Sequence, residues 1–375
     1  MNLRSFYKLS IITFIAFTAA VSTWVLTPEY SIGSFFGERL FPELMEKIND
    51  TEVVSIEHTG ETLTFIRDEN GDWALMEANE YPADKERIRN VLIGLSQLEK
   101  IEPKTALPEF YQDLNVEDSS ATSKSYLVTL LNAEGQQLTS LLIGKNTSGV
   151  TWNGQGYFVR SPNDAQSWLV RGNADVTGGK LSWLPTRILP LEKGRISSVT
   201  IVDGTRTREV VYKRTSPTAS LAPFFLSDRF FIITDDFIEN MEKTLTSFDF
   251  KGVIKRPEKL SEEIPFSSIM IETLDGLNIF MFLYLTDSKP YAAVSFDTGD
   301  NASEKVKAEA VSLERLHGKW LYLMSNEKIT PLLPFLSVPE KETPKKELKK
   351  QKASKVAETT TATKKKSSVK KKQVK

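Results

Sequence analysis

The sequence predicts an α+β protein: an N-terminal transmembrane helix, two tandem related units of antiparallel strands with one main helix each, and a disordered lysine-rich C-terminal tail. Three observations predict it. An uncharged apolar run lies near the start, a strand, hairpin and helix order occurs twice, and from Pro339 onward large apolar residues almost vanish. With 375 residues, 40% of them hydrophobic and 26% charged, the chain is long enough for two buried cores.

The first element is "LSIITFIAFTAAVSTWVLTP", Leu9 to Pro28, in which no side chain is charged. As a helix these residues rise about 30 Å, enough to cross the hydrocarbon of a bilayer. Arg4 and Lys8 precede the run, whereas Glu29 and Glu38 are the first charges after it. The positive-inside bias therefore leaves the N-terminus in the cytoplasm and the rest outside. The competing reading is a cleaved secretory signal, with small residues at Thr18, Ala20 and Ser22 for a peptidase. Either way the body is exported. The expected location is the inner (cytoplasmic) membrane, single-pass, with the bulk of the chain on the extracytoplasmic side.

Residues 1–28 form the cytoplasmic tip and anchor, and 29–50 a juxtamembrane stalk in which Phe36, Leu40, Leu44 and Ile48 recur every four residues around Pro42. The first α+β unit is expected over 51–190. Its strands "VVSIEH", "TLTFIRD" and "WALM" are punctuated by Thr59-Gly60 and Asn70-Gly71. A helix follows, with Ile88, Val91, Leu92, Leu95 and Leu98 on one face and Pro82 at its start. The second unit, 195–330, repeats this order: its helix carries Ile238, Met241, Leu245 and Phe248, and its later hairpin turns at Asp275-Gly276. Pairing Gly60 with Gly204 and Gly135 with Gly276 gives offsets of 144 and 141, as a duplication with small indels would leave.

Within the tail, 339–375, the stretch Lys341 to Lys375 holds fourteen lysines against Glu342, Glu347 and Glu358, or +11. The total is −1, so the rest of the chain carries −12. A segment of this composition cannot bury enough surface to offset the entropy of ordering. Outside the membrane its expected partners are anionic lipid headgroups or envelope polymers, with no nucleic acid.

Several stretches of this body, "GERLFPELMEKINDTEVVSIEHTGETLTFIRDENGDWALMEANEYPADKERIRNVLIGL" above all, resemble a bacterial membrane-anchored domain family of unknown function. The marks are Leu40-Phe41-Pro42, Gly71-Asp72-Trp73-Ala74-Leu75 and Tyr81-Pro82-Ala83-Asp84, followed by "LLIGK" and "YFVRSPNDAQSWLV". The resemblance is strong over 30–190 and only in outline beyond. It implies an accessory role, since members are often encoded beside gliding-motility-type ABC transporters. It brings no catalytic residues.

The chemistry the chain excludes is wide. There is no cysteine, which removes disulfides and thiolate sites, and only His58 and His317 are present, too few for a multi-histidine metal centre. Asp297-Thr298-Gly299 carries the core of an aspartic-protease motif, but the first unit offers no second copy for a shared proton. Gly144 to Gly149, "GKNTSG", lacks the first glycine of a phosphate loop, where Thr139 stands, and reads as a hairpin loop. Gly154 and Gly156 read as turn glycines, and His58 and His317 as surface or satisfied structural residues. Trp73, Trp168, Trp183 and Trp320 are expected to pack, leaving Trp152 as the aromatic for ligand contact. Asn49, Asn146 and Asn301 head glycosylation sequons.

No catalytic, cofactor-binding or metal-ligating residue is therefore expected. The leading expectation is a non-enzymatic, membrane-anchored extracytoplasmic accessory or scaffold of an ABC-transporter or cell-envelope complex. Its alternatives are a module that binds envelope polymer or anionic lipid through the tail and, further back, an aspartic-type hydrolase.

Overall fold

The computed structural model describes residues 17, 37–151, 154–205, 208–216, 218–227, 234–300 and 302–336. The expected transmembrane anchor (Phe17 apart), the basic tail, Trp152 and Asn301 lie outside the described residues. No helix among the described residues is long and apolar enough to cross a membrane.

The α+β expectation is overturned by two continuous antiparallel sheets accompanied by few helices. The chain divides into two compact units, residues 1–186 with 252–254, and 187–251 with 255–375.

The first sheet is built from β1 (Val53–His58), β2 (Glu61–Arg67), β3 (Trp73–Leu75), β4 (Tyr81–Pro82), β5 (Glu99–Pro103), β6 (Tyr126–Leu131), β7 (Gln137–Thr151), β8 (Gly154–Arg160) and β9 (Ser167–Arg171). Their order is β4-β3-β2-β1-β6-β7-β8-β9-β5. The second comprises β10 (Ile196–Asp203), β11 (Glu209–Lys213), β12 (Ala222–Leu226), β13 (Gly252–Lys255), β14 (Ser267–Thr273), β15 (Leu277–Thr286), β16 (Lys289–Thr298) and β17 (Trp320–Leu323). Here the order is β12-β11-β10-β14-β15-β16-β17-β13. Strand for strand the two orders correspond, except that β4 has no counterpart.

Sheets dominate because nearly every apolar run alternates at the strand period and is joined to the next by a tight turn. In β14 burial alternates along the whole strand, with Ile269 and Ile271 inward, and β15 continues the pattern with Leu277, Ile279, Met281 and Leu283. Gly60, Gly71, Gly135 and Gly276 all have positive φ at the reversals, a conformation that glycine enters without steric cost.

Only three α-helices among the described residues exceed one turn: α1 (Lys85–Ser96), α2 (Asp235–Thr246) and α3 (Glu304–His317). α1 buries Ile88, Val91 and Leu95, each contributing on the order of 1.5–3 kcal/mol on full burial. α3 is missing from the sequence expectation of one main helix per unit. Its apolar stripe is thin, with Val306, Ala310 and His317 its buried residues, so its period is faint.

The stalk also differs from the expected helix. Among its described residues only Leu44–Lys47 is α-helical, and Ile48–Asp50 continues as a 3₁₀ turn. Upstream, residues 37–40 run beside β5: Gly37 N donates to Lys100 O (3.1 Å), Lys100 N to Glu38 O (2.8 Å) and Leu40 N to Leu98 O (2.8 Å). Pro42 cannot supply a helical N–H, and the available carbonyls of β5 offer the chain a ladder instead.

Candidate functional site

Polar side chains gather around an open cleft in the first unit, beside α1. The helix begins at Asp84, whose side chain accepts from Arg87 N at 3.1 Å, while Asp84 N donates to Trp183 O at 2.8 Å. Ala83 N donates to Trp73 O at 2.8 Å. The Tyr-Pro-Ala-Asp and Gly-x-Trp marks thus serve one joint, tying helix start, strand β3 and the Trp183 turn together. Arg87 closes it from above: its guanidinium lies 4.1 Å over the Trp183 ring and donates to Ser182 O (2.7 Å) and Thr177 O (2.5 Å).

Farther along the helix, Gly94 meets the segment after β9. A Cβ there would fall 1.7 Å from Asn173 O, so only glycine permits this approach of helix to backbone. Gly172, with φ +147°, makes the adjoining bend against Leu98. These contacts fix Asn173 next to the helix and leave a cleft of about 490 Å³ between them, lined among others by Arg39, Asn90, Gln97, Glu99, Arg171 and Asn173. A smaller cavity of about 140 Å³ adjoins it, sharing Asn90 and Asn173 and adding Arg87, Val91 and Asp175.

Charge in the larger cleft is organised about Glu99. Its carboxylate pairs with Arg171 and stands 3.8 Å from Arg39 Nη1, which donates to Gln97 O at 2.6 Å. In the adjoining cavity, one oxygen of Asp175 accepts from Thr177 N (3.0 Å) and Thr177 Oγ1 (2.6 Å). Such an arrangement can hold a polar, charged ligand. It presents no nucleophile with an adjacent base.

The residues singled out by sequence are scattered. Asp297 is exposed at the end of β16 and accepts from Thr298 N at 2.8 Å, its own turn. It borders a groove of about 420 Å³ with Phe296, Lys307, Glu314 and Arg315, where Glu314 Oε2 accepts from Phe296 N at 2.7 Å. Gly144 lies inside β7, not in a hairpin loop, and a Cβ on it would sit 2.2 Å from Leu114 O. Gly156 is likewise a strand residue and not a turn, paired with Thr147 on one side and Arg171 on the other. Asn146 lies in the same ladder, opposite Tyr157, and Asn49 O accepts from Arg67.

His58 stacks on Tyr126 at 3.8 Å, with Nδ1 3.0 Å from Ser125 O. His317 is buried at the end of α3 with Nδ1 2.7 Å from Tyr322 Oη, and burial pushes its pKa down to about 4. Trp73, Trp168, Trp183 and Trp320 are all buried. Among the described residues no group of three or more histidines, cysteines or acidic side chains is placed to hold a metal ion.

The cleft was not visible in the sequence, because Arg39, Glu99 and Arg171 belong to no motif and meet only through the β5 edge. Gly94 was the available signal, since a glycine inside a good helix costs about 1 kcal/mol and asks for a reason.

None of the curated proteins matches the chain. A family model does: that of the Domain of unknown function (DUF4340) matches residues 73–292, more than half the sequence, and the chain belongs to that family.

Proposed function

We propose that this DUF4340 member is a non-enzymatic accessory or scaffold protein, held at the inner membrane by its N-terminal leader with its body outside the cytoplasm. Its partner would be an ABC-transporter permease or another envelope protein. The observation that supports it is the use made of the interior ionisable side chains, which are committed to holding the fold. Arg160 donates to Val116 O (2.9 Å), Pro162 O (3.3 Å) and Asp164 O (3.2 Å), pairs with Asp118 and lies over Tyr111. Arg214 pairs with Glu242 and donates to Ile196 O (2.7 Å) and Lys193 O (2.9 Å). Arg195 grips Glu309 with two bonds of 2.8 Å and Asp275 at 2.9 Å. Groups so engaged brace loops and strands for presentation.

Mild crosslinking in intact cells followed by affinity isolation tests this reading. The same permease or envelope protein should be recovered repeatedly, and lost when residues 1–28 are removed. Recovery of the protein alone in every preparation counts against it.

A second reading rests on the +11 charge of Lys341 to Lys375, which would hold anionic lipid or polymer at about 1 kcal/mol per lysine near the surface. Deleting residues 339–375 should abolish salt-sensitive retention on envelope fractions. Unchanged retention rules this reading out.

A further inference from the structure

The cleft beside α1 has a chemistry of its own, and what it would bind does not depend on where the protein sits or which complex it serves. Its lining brings together two guanidinium groups, Arg39 and Arg171, with one carboxylate, Glu99, so the lining carries one positive charge in excess. Arg39 engages its partners through Nη1. Its Nε and Nη2 make no hydrogen bond among the described residues, and a planar guanidinium with two such donors is matched by a carboxylate.

The next groups along the cleft are primary amides. Asn90, on the exposed side of α1, and Gln97, the residue that caps its C-terminus, stand about two helical turns apart, and their carboxamides make no hydrogen bond among the described residues. Each offers a donor and an acceptor, the complement of a peptide group. In the adjoining cavity Asp175 binds Thr177 through one oxygen only. Together with the adjoining cavity, the cleft presents a cation, amides and a carboxylate. Its volume of about 490 Å³ falls within the range of small-molecule sites, about 300–1,000 Å³. Ile93 is the one large apolar side chain in the lining, the other residues being polar, charged or glycine.

From this placement we infer that the cleft binds a short peptide by its free C-terminal carboxylate, with Arg39 on the carboxylate and Asn90 and Gln97 on the adjoining peptide group. Gly94 and Gly172 keep the far wall in position, because the helix and the Asn173 segment touch through backbone.

Titration calorimetry on the full chain, with N-acetylglycylglycine, its C-terminal amide and inorganic phosphate as probes, tests the assignment. The free acid should bind, and the amide and phosphate should each bind at least tenfold more weakly. Arg39→Gln should weaken the free acid at least tenfold, and Asn90→Ala, on the exposed helix face, about threefold. No binding of the free acid at about 10 mM overturns the proposal, since that lies beyond even weak specific recognition. Equal binding of acid and amide overturns it too, as does phosphate binding as well as the peptide, which makes the cleft a generic anion site. So does wild-type affinity in both variants.

Discussion

Helices α1 and α2 occupy the same place in two sheets of corresponding strand order, yet they finish differently. Both have twelve residues and a side-chain cap, Asp84 accepting from Arg87 N and Thr234 from Phe237 N. Counted from those caps, Ile88 matches Ile238, Val91 matches Met241 and Leu95 matches Leu245, and all six are buried. The differences come at the flanks of this seam. Where α1 has Leu92 and Gly94, α2 has Glu242 and Thr244. Glu242 and Arg214 are each only 2% exposed and pair with one another, and Lys193 reaches the same carboxylate at 3.4 Å. Around α2 the flank is filled by ions; around α1 it is open beside a glycine. An apolar seam settles that a helix docks, whereas one or two bordering positions settle whether its side is sealed or available.

The strongest way to break this comparison is Arg214→Met. It strands a buried carboxylate with only Lys193 near it, and urea unfolding should show a loss of about 3–5 kcal/mol. Combining it with Glu242→Leu should restore most of that. A single variant within about 1 kcal/mol of the parent would mean that the pair does not seal the flank.

Next comes acid. Neutral His317 is held in the folded second unit with a pKa of about 4, against an ordinary value of 6.5. Above pH 6.5 neither state is protonated there and this stability is fully present. As pH falls toward 4 the unfolded chain takes up a proton that the folded chain refuses, and up to about 3 kcal/mol is lost. Below about pH 4 the loss levels off. His317→Asn, which keeps a partner for Tyr322, should flatten the difference in urea midpoints between pH 7 and 4.

Gly94→Ala sharpens the contrast from the other side. Alanine is ordinarily the better helix former by about 1 kcal/mol, but the crowding by Asn173 O should reverse the sign and cost about 1–3 kcal/mol. Thr244→Gly, at the matching place in α2, should destabilise by about 1 kcal/mol, from a somewhat poorer helix former and the loss of a buried side chain. A stabilised Gly94→Ala would remove the argument for a backbone contact at the cleft. The smallest effect belongs to the surface: Lys85→Gln, which breaks the 2.8 Å pair with Asp72 between two side chains more than half exposed, should cost below about 0.5 kcal/mol.

How much could be read beforehand follows from what each feature depends on. β1, β2 and the hairpin at Asp275-Gly276 were legible because alternation and turn glycines are local. The buried faces of α1 and α2 were legible for the same reason. That the strands join into two continuous sheets was not, since it depends on pairings such as Lys100 with Val170 that no short window contains. Nor was α3, whose few buried residues give little period, or the extended course of residues 37–40, which only the β5 edge explains. The cleft was the least legible part. Its charges come from three distant stretches, and only Gly94 marked the spot.

The position of β5 has a consequence for how the first unit comes into being. Its neighbour β9 begins sixty-four residues after β5 ends, while residues 37–40, on its other side, are already made. A growing chain therefore holds a half-satisfied strand until Ser167–Arg171 emerges, and the sheet closes last at the margin where it was started. Delay in synthesis between those points prolongs the life of an open edge, the species most prone to join a wrong neighbour.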